Sequence, residues 1–313
     1  MVKKLRTQLR SYLARLDAKA FKILLGEELI SIVDLGATGG IEPRWGKVTI
    51  FLNYFGFEPD SRSVDINSVS SFGSYKLIPN LISNRSEKSR LHISSEEGKS
   101  SLYKPEMEFL NRFPNSKRFE TVDVIELDTS TIDDSIHEDI DFIKLDIQGG
   151  ELNALMGSEK ILQSVVGIET EIEFVSLYKN QPLFGELNNY LQSHGFEFFD
   201  FTNLRRWERQ SLNELGQCVF GDGLYLRSPE NILENKYLEV KLRKYISILF
   251  LYNRFDLIDL ILKLNPSLVS DFPRFMKLLS KKKNRLKLAT NLNKRANVIL
   301  SFLGDEFKSQ LIY

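Results

Sequence analysis

An aspartate follows a predicted buried strand in the segment DFIKLDIQGGELNALMGSEKIL, residues 141–162. The apolar side chains of this strand are Phe142, Ile143, Leu145 and Ile147. Asp146 lies near the strand end, just before the pair Gly149–Gly150 and an amphipathic helix. Burying an ionised carboxylate is costly unless a partner compensates it. Because ligands of open α/β sheets bind at the carboxyl ends of strands, Asp146 is a candidate binding or catalytic residue.

A second candidate site is the stretch VDLGATGG, where a strand turns through glycines. A dinucleotide-binding GxGxxG motif would need glycines where Thr38 and Ile41 stand, so that motif is excluded. The spacing fits the acidic-x-Gly-x-x-x-Gly loop that holds S-adenosylmethionine in class I methyltransferases, with Asp34, Gly36 and Gly40 in place and Thr38 at the usual middle glycine. In this interpretation the glycines let the backbone approach the ligand closely. The aspartate would orient the loop or meet the amino group of the ligand.

Two further sets of carboxylates follow strands or lie on them. Glu58 ends the apolar stretch FGFEP, 18 residues after Gly40, where an acidic side chain can accept both hydroxyls of a ribose. The alternative is a carboxylate in water. In VVGIETEIEFV the residues Glu169, Glu171 and Glu173 alternate with apolar ones and share one face of a strand. That face is either solvated or part of the site.

The order of predicted elements indicates an α/β fold. Strands are predicted at 30–36, 55–59, 119–128 and 165–175, with others at YKLIPNLIS and RLHIS. A helix at PLFGELNNYLQSHG and a closing hairpin of FEFFDF with CVFGDGLYLR predict a mostly parallel sheet with an antiparallel edge hairpin.

The pattern divides the chain into three parts. Residues 1–29 contain a basic amphipathic helix at 2–25, residues 30–229 form the α/β domain, and residues 230–313 form a basic helical region. Four helical stretches are predicted in that last region: 235–253, 254–264, 272–280 and 285–303.

Composition limits the classes of function. The chain has 313 residues and one cysteine, which excludes an internal disulfide and a cysteine-rich metal site. It carries 42 basic and 42 acidic residues, but residues 231–313 have sixteen basic against seven acidic ones. Because the net charge is zero and the middle of the chain is acidic, nucleic acid is not an expected partner. No secretory signal or membrane-spanning stretch is found in the sequence, and a cytoplasmic location is expected.

Residues 30–228 resemble the FkbM family of S-adenosylmethionine-dependent methyltransferases. The resemblance lies in blocks that occur in the family's order: VDLGATGGIEPRW, FEPD, SSLYKPEMEFL, VIELDT, IDFIKLDIQGGELNALMGSEKIL, VVGIETEIEFVSLYKNQPLFGELNNYLQSHGFEFFDF and GDGLYLR. It implies a Rossmann-like class I methyltransferase fold and methyl transfer to a hydroxyl oxygen of a sugar, glycan or secondary metabolite. The cofactor-binding residues that it implies are Asp34, Gly36, Thr38, Gly40, Glu58 and Asp146.

The implied chemistry needs a group that takes the proton of the acceptor hydroxyl. Asp146 and Glu171 are the candidate bases, and the same two carboxylates could instead hold a Mg²⁺ ion that orients and acidifies the hydroxyl. Arginine and tryptophan in Arg44–Trp45 and in the RRW segment at 205–207 either line an acceptor pocket or belong to the core. A methyltransferase-like protein that binds or scaffolds without catalysis is the alternative function.

The basic ends leave two interpretations open. The helix at 2–25 could join one positive surface that contacts an anionic membrane from its cytoplasmic side. The lysines and arginines that would complete this surface are Lys281, Lys282, Lys283, Arg285, Lys287, Lys294 and Arg295. In the other interpretation, Leu5, Leu9, Leu13 and Leu16 dock the first helix on the domain. The C-terminal helices then pack on the domain or form a homodimer.

Overall fold

The computed structural model describes residues 2–60, 71–210, 214–234 and 239–301. A seven-stranded sheet forms the centre, in the order β3-β2-β1-β7-β8-β10-β9. Its strands are β1 (Ile30–Leu35), β2 (Leu52–Phe57), β3 (Ser74–Ile78), β7 (Phe142–Leu145), β8 (Gly167–Glu173), β9 (Phe196–Trp207) and β10 (Gln217–Arg227). All pairs are parallel except those of β10, which runs antiparallel to both neighbours. The predicted edge hairpin is therefore confirmed.

A second, three-stranded sheet lies between β3 and β7 in the chain. It consists of β4 (Leu81–Ile82), β5 (Lys88–Ser94) and β6 (Thr121–Ser130) in the order β4-β6-β5. The single strand expected at YKLIPNLIS is wrong, since the segment breaks at Pro79 and sends its two halves to different sheets. Proline has no N–H to donate to a ladder, which explains the break.

Eleven α-helices are described. They are α1 (Val2–Leu25), α2 (Met107–Leu110), α3 (Ile132–Ser135), α4 (Glu151–Met156), α5 (Glu159–Leu162), α6 (Phe184–Ser193), α7 (Pro229–Glu234), α8 (Glu239–Leu251), α9 (Phe255–Leu264), α10 (Ser267–Asp271) and α11 (Pro273–Ser301). The two helices expected at 272–280 and 285–303 are one continuous helix, because the lysines and Asn284 between them do not break a helix. No helix among the described residues is long and apolar enough to cross a membrane.

Both ends of the chain share one core with the sheet. Phe21 and Leu24 of α1, Tyr245 and Phe250 of α8, and Phe275 of α11 are fully or almost fully buried in one apolar cluster. The same cluster contains the first residues of β1 and β7. The amphipathic face of α1 therefore docks the helix on the domain, as one of the two interpretations predicted; Leu16 is buried and Leu9 and Leu13 are half-buried. The side chain of Leu5 lies outside the described residues.

Part of the predicted positive surface is not free. Lys282 is buried and its Nζ lies 2.6 Å from Asp17 Oδ1 and 2.6 Å from the carbonyl oxygen of Phe250. Lys283 pairs with Asp259 on the surface. Sequence periodicity shows which lysines are clustered, but not which of them face a carboxylate on a distant helix. The side chains of Lys294 and Arg295 lie outside the described residues.

The buried ion pair between α11 and α1 gives a prediction about stability. Lys282→Met keeps most of the side-chain volume but leaves Asp17 buried without its cation, so the free energy of unfolding should fall by about 3–5 kcal/mol. Lys283→Met is the matched control, because its partner is half exposed and an exposed pair contributes about 1 kcal/mol or less. Urea denaturation at neutral pH measures both. Equal losses in the two variants would show that α11 is not held to α1 by this pair.

Candidate functional site

The first part of the site is the point where β1 and β7 end side by side. The chain runs outward from β1 through β2 to β3 and returns to β7, so the strand order reverses between β1 and β7. The N–H of Asp146 donates to the carbonyl oxygen of Leu35 at 3.0 Å. Gly36 has a φ of 80°, and a Cβ there would lie 2.0 Å from the carbonyl oxygen of Asp146. Only glycine fits so close to this oxygen. Because the strand order reverses between β1 and β7, a crevice lies here at the carboxyl edge of the sheet.

The glycine loop is joined to the tip of β2 by side chains. Thr38 Oγ1 donates to Glu58 Oε2 at 2.6 Å, and the N–H of Asp60 donates to Glu58 Oε1 at 2.8 Å. Burial raises the pKa of Glu58, and these two hydrogen bonds oppose the rise. The threonine that replaces the usual middle glycine thus fixes the carboxylate that follows β2.

A cavity with ≈ 630 Å³ of empty space lies above these strand ends. We call it the strand-tip cavity. Glu58 and Asp60 supply carboxylates, and Phe57, Leu81, Ile82 and Leu91 supply apolar walls. It combines apolar walls with a few polar groups, as small-molecule sites do.

A second cavity, the polar cleft, adjoins the first and has ≈ 1410 Å³ of empty space. Its charged and polar side chains include Glu42, Arg44, Lys144, Glu169, Thr202, Asn203 and Asp222. Four residues line both cavities: Gly36, Thr38, Gly98 and Asp146. The side chain of Asp146 is 41% exposed, which places a carboxylate at the junction of the two cavities.

Asp34 lies beneath the glycine loop and lines neither cavity. Tyr54 donates its hydroxyl to Asp34 Oδ2 at 2.8 Å, and Lys144 Nζ lies 3.8 Å from Oδ1. Burial raises the pKa of Asp34 to about 6, against the lowering effect of Lys144 and Tyr54. Of the two roles expected for this residue, its place favours orienting the loop.

Gln148 connects the carboxylates of β7 and β8. Its Nε2 donates to Asp146 Oδ1 at 2.9 Å and to Glu171 Oε2 at 2.9 Å, and its Oε1 accepts from the Tyr178 hydroxyl at 2.9 Å. Gln148 has a φ of 58°, a left-handed conformation that is uncommon outside glycine and that clusters at functional sites. Glu171 therefore lies behind Gln148, is buried, and lines neither cavity.

The face of β8 that carries Glu169, Glu171 and Glu173 is buried and not solvated. Carboxylate oxygens of Glu151, Glu171 and Glu173 lie within 4.8 Å of one another. Burial raises the pKa of Glu151 to about 7, and burial together with nearby carboxylates raises the pKa of Glu171 and Glu173 well above the ordinary value. Ionisation of this cluster is therefore unfavourable in the folded protein.

The same geometry bears on the predicted Mg²⁺ ligands. Asp146 and Glu171 both accept a hydrogen bond from Nε2 of Gln148, so an amide donor lies between the two carboxylates. As arranged, these two residues do not fit a shared metal ion.

Glu169 contacts Arg44, which follows the glycine loop, and Tyr252 in the C-terminal region. Arg44 Nη1 lies 3.4 Å from Glu169 Oε1, and the Tyr252 hydroxyl donates to Oε2 at 2.5 Å. Arg44 also lies over the Tyr252 ring, 4.3 Å from its centroid. Trp45 is buried and donates its Nε1 to the Tyr252 hydroxyl at 3.0 Å, so this tryptophan belongs to the core while Arg44 lines the polar cleft.

The RRW segment is the last part of β9, which extends beyond the predicted strand FEFFDF. Trp207 packs on Phe113 and Phe119 with ring centroids 5.4 and 5.9 Å apart, and it lines neither cavity. Arg205 and Arg206 are exposed.

Several residues of the site escape sequence reasoning. Lys144 could have been found, since a lysine inside an apolar core strand needs a carboxylate partner. Burial opposes its charge, but Asp34 and Asp146 outweigh burial and raise the pKa of Lys144 well above its ordinary value. No sequence signal marks the others, which reach the site from distant segments: Tyr178, Thr202, Asn203, Asp222 and Tyr252.

Comparison with known proteins finds one methyltransferase family model that matches the chain. Residues 43–198 match the family model described as methyltransferase FkbM domain. No curated protein sequence matches the chain significantly. The seven-stranded sheet with its antiparallel strand β10 is the Rossmann-like class I methyltransferase fold that the sequence predicted.

Solved structures of methyltransferases are similar to this chain only at low identity. A methyltransferase FkbM from Methylobacillus flagellatus KT is 18% identical, with a TM-score of 0.37 over 63% of this chain; the chain spans 43% of the length of that protein. A magnesium protoporphyrin IX methyltransferase from Synechocystis PCC 6803, with bound S-adenosylmethionine, is 9% identical, with a TM-score of 0.35 over 71% of this chain and 79% of that one.

The raised pKa values of Glu151, Glu171 and Glu173 predict how the free energy of unfolding depends on pH. A carboxylic acid whose pKa is raised by folding stabilises the fold fully below its unfolded pKa, about 4.5, and loses that contribution as the pH rises through the raised value. The free energy of unfolding of the wild type should therefore fall between pH 5 and pH 8. The free energy of unfolding of Glu173→Gln, whose new side chain cannot ionise, should fall less over the same range.

Urea denaturation at the two pH values tests this dependence. Glu120→Gln on the exposed surface is the matched control and should follow the wild type. A wild type and a Glu173→Gln variant with the same change between pH 5 and pH 8 would mean that the cluster is ionised in the folded protein.

Proposed function

This chain belongs to the FkbM methyltransferase family through residues 43–198, and we propose that it transfers the methyl group of S-adenosylmethionine to a hydroxyl oxygen of a sugar or sugar-bearing acceptor. Use of S-adenosylmethionine follows from the family and the fold. The acceptor and the oxygen chemistry are inferred from the site. The observation that carries the proposal is the position of Asp146, the one ionisable side chain among the described residues that lines both cavities.

We assign S-adenosylmethionine to the strand-tip cavity. Gly36 permits the backbone to pass directly under a ligand, and Glu58 offers carboxylate oxygens to the ribose hydroxyls. The apolar side chains of Leu81 and Ile82 offer walls for the adenine ring. When bound, this cofactor supplies a methyl group made electrophilic by a positively charged sulfur.

Asp146 is the residue that we assign as the base. An alcohol becomes a competent nucleophile when a positioned carboxylate accepts its proton, and Asp146 faces the polar cleft where the acceptor would lie. Gln148 holds Oδ1 at 2.9 Å, and Lys144 Nζ lies 3.9 Å from Oδ2, so the carboxylate has a fixed orientation. Holding the acceptor oxygen in line with the methyl carbon supplies most of the remaining rate enhancement.

Glu171 is less suited to accept the proton. It is buried and lines neither cavity, and burial together with nearby carboxylates raises its pKa well above the ordinary value. We assign it to positioning, through the hydrogen bond that Gln148 Nε2 donates to it.

The lining of the polar cleft supports a polyhydroxylated acceptor over an apolar metabolite. Asn203 and Thr202 can each donate and accept a hydrogen bond, Arg44 and Lys144 donate, and Asp222 accepts when ionised. Burial and the neighbouring Asp146 raise the pKa of Asp222 to about 6, so it is mostly ionised at neutral pH. Sugar hydroxyls, which both donate and accept, match such a set.

Asp146→Asn tests the proposed function. Transfer of the labelled methyl group of S-adenosylmethionine to glycan and sugar acceptors should fall on the order of 10²-fold or more, because the amide cannot accept the proton. The affinity for S-adenosylmethionine, measured by calorimetry, should change by only a few-fold. Asp139→Asn, an exposed residue, is the matched control and should keep wild-type turnover.

The outcomes separate catalysis from scaffolding. Full turnover in Asp146→Asn would remove this residue as the base. A wild type that binds S-adenosylmethionine but methylates no hydroxylated acceptor would favour a binding or scaffold protein, and a product methylated on nitrogen would refute the oxygen acceptor.

A further inference from the structure

The two basic ends of the chain meet in one groove. Helices α1 and α11 pack side by side, and between them lies a groove with ≈ 650 Å³ of empty space, here called the α1–α11 groove. Its lining consists of five cations and two apolar residues: Lys19, Lys22, Ile23, Arg274, Lys277, Leu278 and Lys281. No carboxylate of the described residues lines it.

The spacing places these cations on facing stripes of the two helices. Lys19 and Lys22 are three residues apart on α1, while Arg274, Lys277 and Lys281 are three and four apart on α11, so each set lies on one helix face. All five side chains are exposed, and none forms an ion pair with a carboxylate of the described residues. The adjacent Lys282 and Lys283, which do pair, lie outside the groove lining.

An uncompensated group of five cations is unfavourable for the isolated protein, because like charges on neighbouring turns repel. The stripe on α11 extends about 10 Å along the helix axis, at 1.5 Å per residue, so it is longer than a single phosphate group. Ile23 and Leu278 give the floor between the stripes an apolar character. The complementary ligand therefore carries several negative charges above an apolar part.

We propose that the α1–α11 groove binds the surface of a membrane that contains anionic phospholipids. The phosphates of the lipid headgroups would pair with the lysines and arginine, and the glycerol and upper acyl region would contact the apolar floor. In the part of the chain that the structure describes, no aromatic side chain on which a base could stack lines the groove, which makes single-stranded nucleic acid a poorer match. This inference does not depend on the proposed methyl transfer.

Vesicle flotation tests the proposal with the full chain. Vesicles of phosphatidylglycerol and phosphatidylcholine should carry the wild type upward at 0.15 M salt, and vesicles of phosphatidylcholine alone should not. A basic residue close to an anionic bilayer contributes about fivefold in partitioning, so Lys22→Glu/Lys277→Glu should reduce partitioning by about 25-fold or more. Both residues are exposed, and unchanged thermal unfolding will show that the variant is folded.

The matched control carries the same change of charge at another place. Lys117→Glu/Lys160→Glu alters two exposed lysines that do not line the groove, and it should float like the wild type. Equal losses in both variants would show that only net charge matters and would overturn the proposed groove. The proposal also fails if the wild type stays at the bottom with phosphatidylglycerol vesicles, or if RNA, and not vesicles, retains it.

Discussion

The site depends on one close backbone contact, that of Gly36 with the carbonyl oxygen of Asp146. A side chain at position 36 would place its Cβ 2.0 Å from that oxygen, so the turn after β1 and the turn after β7 can lie together only with glycine there. Because the two turns are in contact, the cavity above β1 and β2 adjoins the cleft above β7 and β8, and Asp146 is the carboxylate at their junction. In methyl transfer, the acceptor oxygen must lie close to the methyl carbon of the donor. The contact between Gly36 and Asp146 fixes where these two atoms can come together.

The surrounding carboxylates are controlled in different ways. Glu169 lies beside the cation of Arg44 and the phenol of Tyr252. Burial and Glu169 itself raise the pKa of Tyr252 well above its ordinary value. Burial and neighbouring carboxylates raise the pKa of Glu171 and Glu173 well above the ordinary value, so their ionisation is unfavourable. The neutral amide of Gln148 lies between Asp146 and Glu171 and donates a hydrogen bond to each. The carboxylate at the junction of the cavities is therefore Asp146, and Glu171 lies behind it.

The sequence predicts motifs that lie within a few residues, but not the contacts between distant segments of the chain. The strand end that carries Asp146, the glycine turn after β1 and the acidic tip of β2 are each encoded within a few residues, so periodicity and spacing predict them. Gln148 contacts Glu171 and Tyr178, which are 23 and 30 residues away, and Glu169 contacts Tyr252 across 83 residues. Such contacts depend on packing of whole elements. The alternation of β6 likewise predicted a strand but could not tell which sheet it would join.

The most direct measurement of the central claim is calorimetric titration of S-adenosylmethionine into the wild type and Glu58→Gln. Glu58 accepts hydrogen bonds from Thr38 and from the N–H of Asp60 and lines the strand-tip cavity, to which we assign the cofactor. Removal of a charged acceptor should raise the dissociation constant by about tenfold or more while leaving thermal unfolding nearly unchanged. A folded variant with wild-type affinity, or a wild type that gives no heat of binding, would contradict the account.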